Sequence, residues 1–207
     1  LQRALAESFI SAAEGEDQLK ACEEILSGTR TYEGLSVDID LRWRIVETLA
    51  SAGRAGDQLI DEEVRRDPTD AGERYAVTCR GARPSPAAKE EIWDMFTVRP
   101  DVPVATLRSA VGGFHRIDQH ELLRPYAGRY FEAVRNIWDT REHEVARVFA
   151  TGMFPKMVIG DDVVATAQEY LATQDPPYPL RRILLEAQDS MKRAVRARSK
   201  DREAALS

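Results

Sequence analysis

Apolar residues recur at helical spacing through most of the chain, and the clearest example is the segment from Asp38 to Gly53. Asp38 is suited to accept hydrogen bonds from the free amides at a helix start, and Gly53 to adopt the left-handed conformation that ends a helix. The segment is therefore predicted to be an amphipathic helix with one buried face and both ends marked. Trp43 and Arg44 fit neither face. The predicted buried stripe consists of Leu41, Ile45, Leu49 and Ala52, widened by Val46 and Ala50.

A second helix is predicted shortly after Gly53, with Leu59, Ile60 and Val64 as its apolar positions and Asp67-Pro68 as its end. The two helices form a hairpin, and short helices separated by Gly- or Pro-marked turns continue along the chain. No clean alternation of period two interrupts them, so strands are not expected. Further helices are predicted at 1–13, 19–28, 69–81, 88–96, 103–111, 126–138, 140–150, 161–172 and 179–198, with a frayed tail from residue 199.

The sequence also predicts which face of the first helix is buried and where a glycine pair interrupts the helices. In the first helix, one face should be buried by Leu1, Leu5, Phe9 and Ala12. The segment 112–115, Gly-Gly-Phe-His, should break the helical pattern, and its missing side chains would let a loop approach another surface.

The succession of hairpins predicts an all-α fold. Its most economical form is an α-superhelix of stacked antiparallel helix hairpins, HEAT- or armadillo-like, with about ten helices. No tetratricopeptide or ankyrin signature can be written across the hairpins, so the repeats would be degenerate. A compact irregular helical bundle is the alternative.

The charge balance disfavours partners that are polyanions. The chain carries 29 Lys and Arg against 35 Asp and Glu, a net charge of −6, so neither nucleic acid nor an anionic membrane is an expected partner. The last predicted helix is basic, but cations near a helix C-terminus also complement the helix dipole, and we prefer that explanation. No apolar run approaches the ~20 residues that a membrane span needs.

The two cysteines indicate a cellular location, and the first residues indicate that the chain is part of a longer one. Cys22 and Cys79 each lie on an apolar stripe, where a thiol behaves as a small buried hydrophobe, although a disulfide between them is an alternative. Buried free thiols suit the reducing cytoplasm, which is the expected location. The sequence starts inside a helical pattern without an initiator methionine, so we expect it to be part of a longer chain.

Two short segments resemble the zinc-binding helix of metallopeptidases, His120-Glu121-Leu-Leu-Arg124 and His143-Glu144-Val-Ala-Arg147. That helix needs a second histidine one turn after the first, so that two imidazoles meet one metal. Both segments have arginine there, which offers no lone pair. We predict no metal site and no catalytic residue in this chain, and we do not expect it to be an enzyme by itself.

Several segments, taken in order and spacing, resemble the C-terminal helical domain of bacterial aminopeptidase N of the actinobacterial type, a zinc-dependent metallopeptidase family. The similarity extends from about residue 1 to residue 198. The segments that carry it include 38–45 (Asp-Ile-Asp-Leu-Arg-Trp-Arg-Ile), 66–72 (Arg-Asp-Pro-Thr-Asp-Ala-Gly), 122–131 (Leu-Leu-Arg-Pro-Tyr-Ala-Gly-Arg-Tyr-Phe) and 180–186 (Leu-Arg-Arg-Ile-Leu-Leu-Glu).

The resemblance implies a role that the residues alone do not reveal. It implies that residues 1–207 form a single all-helical C-terminal domain, that the catalytic domain with its zinc lies upstream in the same chain, and that this domain caps the active-site cavity and restricts the entry of peptide substrates. The expected partners are that catalytic domain and peptides. An independent α-solenoid scaffold that binds a partner protein along a concave face is the alternative.

Residues that violate the apolar stripes are the candidates for a cavity-facing or peptide-contacting surface. They are Arg42, Trp43, Arg44, Phe114 and His115. For Trp43, ordinary packing between hairpins is the alternative.

Overall fold

The computed structural model describes residues 2–205 and is helical throughout this part of the chain. It contains twelve α-helices and one short 3₁₀ helix: α1 (Gln2–Ser11), α2 (Glu16–Ser27), α3 (Ile39–Ser51), α4 (Asp57–Arg66), α5 (Asp70–Ala82), α6 (Pro86–Thr97), α7 (Val104–Phe114), the 3₁₀ helix η1 (Ile117–Gln119), α8 (His120–Leu123), α9 (Pro125–Thr140), α10 (His143–Gly152), α11 (Asp161–Thr173) and α12 (Tyr178–Ala205).

The all-α prediction is confirmed: the chain is 76% helical, and residues 2–205 contain no strand. The predicted number of about ten helices is slightly low, in part because the one-turn helix α8 has no long apolar period by which to recognise it. The superhelical stacking of the hairpins stays a prediction.

The two marked ends of α3 are confirmed. The Asp38 carboxylate accepts a hydrogen bond from the Leu41 amide at 3.0 Å and so caps the helix start. At the other end Gly53 has φ +74°, its amide donates to Ala50 O at 3.0 Å, and the Arg54 amide donates to Leu49 O at 2.7 Å. This pair of bonds is the Schellman motif, in which a left-handed glycine satisfies the last free carbonyls.

Helix α3 is buried on more than the one face that the sequence predicted. Leu49 is fully buried as expected, but Trp43 and Ser51 are also buried, whereas Ala52 is exposed. The reason is that α3 packs against α1, α2, α4 and α5 and so has neighbours on several sides. It is the central helix of its unit.

Two predicted helix ends were wrong. Helix α7 continues through Gly112 and Gly113 to Phe114 instead of breaking at the glycines. Helix α12 continues past residue 199 to Ala205, with its last ten described residues exposed.

The predicted buried face of α1 was also wrong. Leu5, Phe9 and Ala12 are exposed, while Ile10 and Ala13 point into the core. Leu1, the remaining member of that stripe, lies outside the described residues. Within residues 2–205, the Ile10 side of α1 is covered by the core, whereas the side that carries Leu5 and Phe9 is exposed.

The described chain packs as two compact units. The first comprises the residues up to Glu91 together with Gly112–Phe114, and the second Ile92–Val111 together with the residues from His115 onward. Cys22 and Cys79 are buried free thiols in the core of the first unit, as predicted. No helix among residues 2–205 is long and apolar enough to cross a membrane.

The second unit is built around aromatic side chains. Tyr130 stacks on Phe149 with 5.5 Å between ring centroids and meets Phe154 edge-on at 5.5 Å. Its buried hydroxyl donates to Ala150 O at 2.7 Å, and burial raises its pKa well above the ordinary value. The aromatic stripe of α9 is therefore part of the core, with Trp138 only half-buried at its end.

Candidate functional site

Arg42 connects three helices of the first unit. Its guanidinium makes a two-pronged ion pair with the carboxylate of Glu63 on α4, with 2.7 Å between Arg42 Nε and Glu63 Oε2. Its Nη1 also donates to the Leu26 carbonyl at the end of α2, at 3.0 Å. The Glu63 side chain is 1% exposed, and its hydrogen bonds raise the pKa of Arg42. This arginine thus satisfies a buried carboxylate and a free helix-end carbonyl within the chain.

Trp43 is packed in the core. This agrees with the alternative given for it above, ordinary packing between hairpins, and not with a cavity-facing position. It is 1% exposed, its ring stacks on Tyr75 with 5.8 Å between centroids, and its Nε1 donates to Asp67 Oδ2 at 3.0 Å. Thr69 Oγ1 donates to the other Asp67 oxygen at 2.7 Å. The turn between α4 and α5 is therefore fastened to α3 through one carboxylate.

Arg44 is the exposed member of the predicted set on α3. Its Nη1 donates a long hydrogen bond to Ser11 Oγ, with 3.4 Å between the two atoms. A guanidinium that is not committed to a buried partner can still bind a polar group. A peptide-contacting role for Arg44 stays a prediction.

Phe114 is buried in the first unit beside a charged side chain that the sequence did not single out. Lys89 is 0% exposed, and its ammonium donates to the Gly81 carbonyl at 2.6 Å and to the Gly113 carbonyl at 3.4 Å. The ammonium lies 6.0 Å from the centroid of the Phe114 ring, within range of a cation–π contact. The burial of Lys89 could have been inferred from its position: it lies three residues before the buried Ile92, on the same face of α6.

His115 lies in the second unit and is half-buried. Its Nε2 is 2.7 Å from the Gly152 carbonyl at the end of α10, so this nitrogen carries a hydrogen and donates. The five predicted site residues therefore do not share one chemical centre: Arg42, Trp43 and Phe114 pack within the first unit, Arg44 faces solvent, and His115 caps a helix end.

The two segments that resemble a zinc helix are ion pairs in the structure. Arg124 contacts Glu121 at 3.4 Å, and Arg147 contacts Glu144 at 3.1 Å, where Arg108 also pairs with Glu144. The arginine in each segment lowers the pKa of its glutamate. The geometry thus puts a cation where a metallopeptidase helix has its second ligand.

Metal-ligating side chains do not converge in the part of the chain that the structure describes. Residues 2–205 contain no group of three or more His, Cys, Asp or Glu side chains that could hold a metal ion. The described residues therefore offer no set of ligands for a zinc ion.

The first unit has an open apolar groove, which sequence reasoning missed. It has a volume of about 250 Å³ and is lined by Gln2, Leu5, Ala6, Phe9, Ile25, Tyr32 and Leu35. One sign of it was present in the sequence, the apolar stripe of α1. The stripe alone does not reveal that, among residues 2–205, no helix covers Leu5 and Phe9.

The chain is similar to known proteins over nearly all of its length. A family model described as the ERAP1-like C-terminal domain matches residues 1–193. Aminopeptidase N of Streptomyces lividans is similar to the chain, with 41% identity over 204 residues, which are 99% of this chain and 24% of the relative. The chain thus spans about a quarter of the length of the curated relative it matches.

Proposed function

Because this chain belongs to the ERAP1-like C-terminal domain family, we propose that it is the non-catalytic helical domain of an aminopeptidase N-like protein, capping the active-site cavity and restricting which peptides enter. The resemblance drawn from the sequence is confirmed. The observation that carries the proposal is the 41% identity to an aminopeptidase N across 99% of the chain. The partners are then a catalytic domain in the same polypeptide and the peptide substrates.

The non-catalytic part of the proposal rests on what peptide hydrolysis requires. A peptide bond is cleaved at neutral pH by polarising its carbonyl and activating a water, tasks that a zinc ion and a glutamate base perform together. In this chain Glu121 and Glu144 are committed to arginines. We therefore assign the zinc and the base to the catalytic domain of the longer protein.

The capping part of the proposal is supported by polar contacts that fix the hairpins of the first unit. A wall that selects peptides by size must hold its shape, and buried, fully paired polar groups favour one arrangement of helices over others. The Arg42–Glu63 pair and the Trp43–Asp67 bond join α3 to α4 and to the turn that follows it. On such a wall Arg44 is the exposed side chain that we assign to peptide contact. The buried free thiols favour a cytoplasmic location.

The purified 207-residue chain offers a direct test of the non-catalytic assignment. We expect it to show a helical circular dichroism spectrum, to retain no stoichiometric zinc after dialysis, and to release no amino acid from peptides. One tightly held zinc per chain, with activity lost in His120→Ala or His143→Ala, would contradict the proposal. A longer gene product without a zinc helix would also contradict it and would favour the independent scaffold.

A further inference from the structure

An open pocket of the second unit lies between α7 and α10. Its volume is about 210 Å³, far more than the roughly 10–15 Å³ that one water molecule needs, so it can hold a small organic molecule. All of its lining residues belong to the same compact unit. The lining combines two arginines with apolar and small residues: Arg108, Val111, Arg147, Val148, Thr151 and Gly152.

Helical spacing and a glycine bring the two arginines of the pocket together. Glu144 and Arg147 are three residues apart in α10 and so lie on one face of that helix. Arg108 lies about one turn before Val111 in α7. A Cβ added at Gly152 would lie 2.7 Å from Val111 Cγ2. The missing side chain of this glycine therefore lets the end of α10 approach α7 closely.

The two guanidinium groups converge on one carboxylate oxygen. Arg147 Nη2 donates to Glu144 Oε1 at 3.1 Å, and Arg108 Nη2 donates to the same oxygen. Two positive charges therefore stand beside one negative charge, and an attraction for a further anion remains. Among residues 2–205, neither Arg108 Nη1 nor Arg147 Nη1 has a hydrogen-bond partner. Both guanidinium groups thus keep donors for a second ligand.

A carboxylate fits these donors and the apolar side chains next to them. Planar guanidinium groups bind carboxylates through paired hydrogen bonds, and Glu144 shows such a group bound at this place. Val111 and the buried Val148 offer apolar contact to a short aliphatic chain. The two arginines are 56% and 54% exposed, so a ligand can reach them from solvent. Exposed ion pairs contribute little to stability, so stability alone does not explain why two like charges stand together.

We propose that the pair Arg108 and Arg147 binds a carboxylate on a short aliphatic chain, carried by a free acid or by an acidic side chain of a peptide. In the complex each guanidinium keeps its bond to Glu144 and directs its free donors to the ligand, whose chain lies against Val111 and Val148. This site does not depend on the proposed function, because its occupancy is measured without peptide hydrolysis.

The test is the rate at which phenylglyoxal, a reagent specific for arginine, modifies Arg108 and Arg147 in the full-length protein. Mass spectrometry gives the rate for each site. Arg182, which is 70% exposed and paired with Glu186, is the internal control. The probes are butyrate for a free acid and N-acetylglutamate α-amide for a peptide side chain. Their uncharged counterparts are butyramide and N-acetylglutamine α-amide.

We expect at least one of the two acids to slow the modification of both pocket arginines by about fivefold at about four times its dissociation constant, because only the unoccupied site reacts. The acid that protects identifies the source of the carboxylate. The uncharged amides should not protect, and the rate at Arg182 should not change. Equal protection by an acid and its amide, or equal protection of Arg182, would overturn the inference. Inorganic phosphate that protects as well as the better acid would overturn the assignment to carboxylates.

Two variants make the test reciprocal. In Arg108→Gln and in Arg147→Gln, the remaining arginine of the pocket should lose its protection by the acid, because one guanidinium no longer forms the paired site. Arg182→Gln is the matched control and should leave the protection of both pocket arginines unchanged. Circular dichroism checks the fold of each variant. Protection that persists in both pocket variants would overturn the proposed pairing.

Discussion

At the residue scale, two buried charged side chains link helices of the first unit through hydrogen bonds. Glu63 and Lys89 are 1% and 0% exposed, and each charge meets hydrogen-bonding partners from other helices. Removing one partner of such a pair leaves the other charge buried without compensation, which costs more than the pair itself contributes. Glu63 and Lys89 are therefore positions at which a substitution should lower the stability of the fold.

The ion pair between Arg42 and Glu63 gives a matched test. Glu63→Gln keeps the size of the side chain but leaves the guanidinium without its counter-charge, so we expect a loss of about 3 kcal/mol in the free energy of unfolding. Glu186→Gln is the control, because its pair with Arg182 is exposed on both sides and should be worth less than about 0.5 kcal/mol. Urea titration measures both, and equal effects would contradict the account.

Leu49 tests the burial of α3. It is 0% exposed, so Leu49→Ala removes buried methyl groups and leaves a cavity, at a cost of about 2–5 kcal/mol. Leu185→Ala changes the same atoms at a position that is 47% exposed and should cost about 0.5 kcal/mol or less. A cost below half a kcal/mol for Leu49→Ala would place that side chain at the surface.

At the scale of elements, glycines decide how closely two helices can approach. A Cβ added at Gly113 of α7 would lie 2.2 Å from the Thr78 carbonyl oxygen of α5, whereas one at Gly112 would meet nothing closer than 3.9 Å. The close approach that the sequence suggested for this segment therefore exists, but it occurs within a helix.

The glycine contrast is a second matched test. Gly113→Ala places a methyl group against the Thr78 carbonyl and should cost at least about 2 kcal/mol. Gly128→Ala, on an exposed position of α9 with nothing within 4 Å of the added Cβ, should instead stabilise by about 0.5–1 kcal/mol through helix propensity. Thermal unfolding of the two variants distinguishes them, and a neutral Gly113→Ala would refute the close approach.

The start of α5 depends on Thr69, the residue that caps it. Its Oγ1 accepts a hydrogen bond from the Gly72 amide at 3.1 Å while donating to Asp67. Thr69→Ala removes the cap and should cost about 1 kcal/mol, whereas Thr69→Ser should restore most of it because the hydroxyl remains. Denaturant midpoints of the two variants check this, and identical losses would show that the hydroxyl is not the cause.

Element ends marked by local chemistry could be predicted, and features set by neighbouring helices could not. Asp38 and Gly53 act on amides and carbonyls within a few residues, so both helix ends could be located from the sequence alone. A pair of glycines looks the same in the sequence whether it ends a helix or lets a helix pack closely against another. The predicted break at Gly112 was wrong for that reason. The buried roles of Arg42 and Lys89 depend on carbonyls and carboxylates more than seven positions away.

At the scale of the whole molecule, the all-helical fold could be predicted because helical periodicity repeats along the chain. The apolar stripe of α1 could be predicted as well, but not its exposure, since a stripe shows that a helix has a partner and not which polypeptide segment provides it. The five candidate site residues were chosen because they do not fit the apolar stripes of the predicted helices. Three of them, Arg42, Trp43 and Phe114, do not fit because each packs against several neighbouring helices or turns.

The central claim, that this domain controls the entry of peptides into an aminopeptidase, is tested most directly by a length series. The full-length protein and a version lacking this domain are compared on peptides of increasing length and on a small chromogenic amino-acid substrate. With zinc content and small-substrate hydrolysis retained as the control for folding, the account predicts that removing the domain relaxes size selection or lowers kcat/KM on the longer peptides. An unchanged dependence of kcat/KM on peptide length would contradict it.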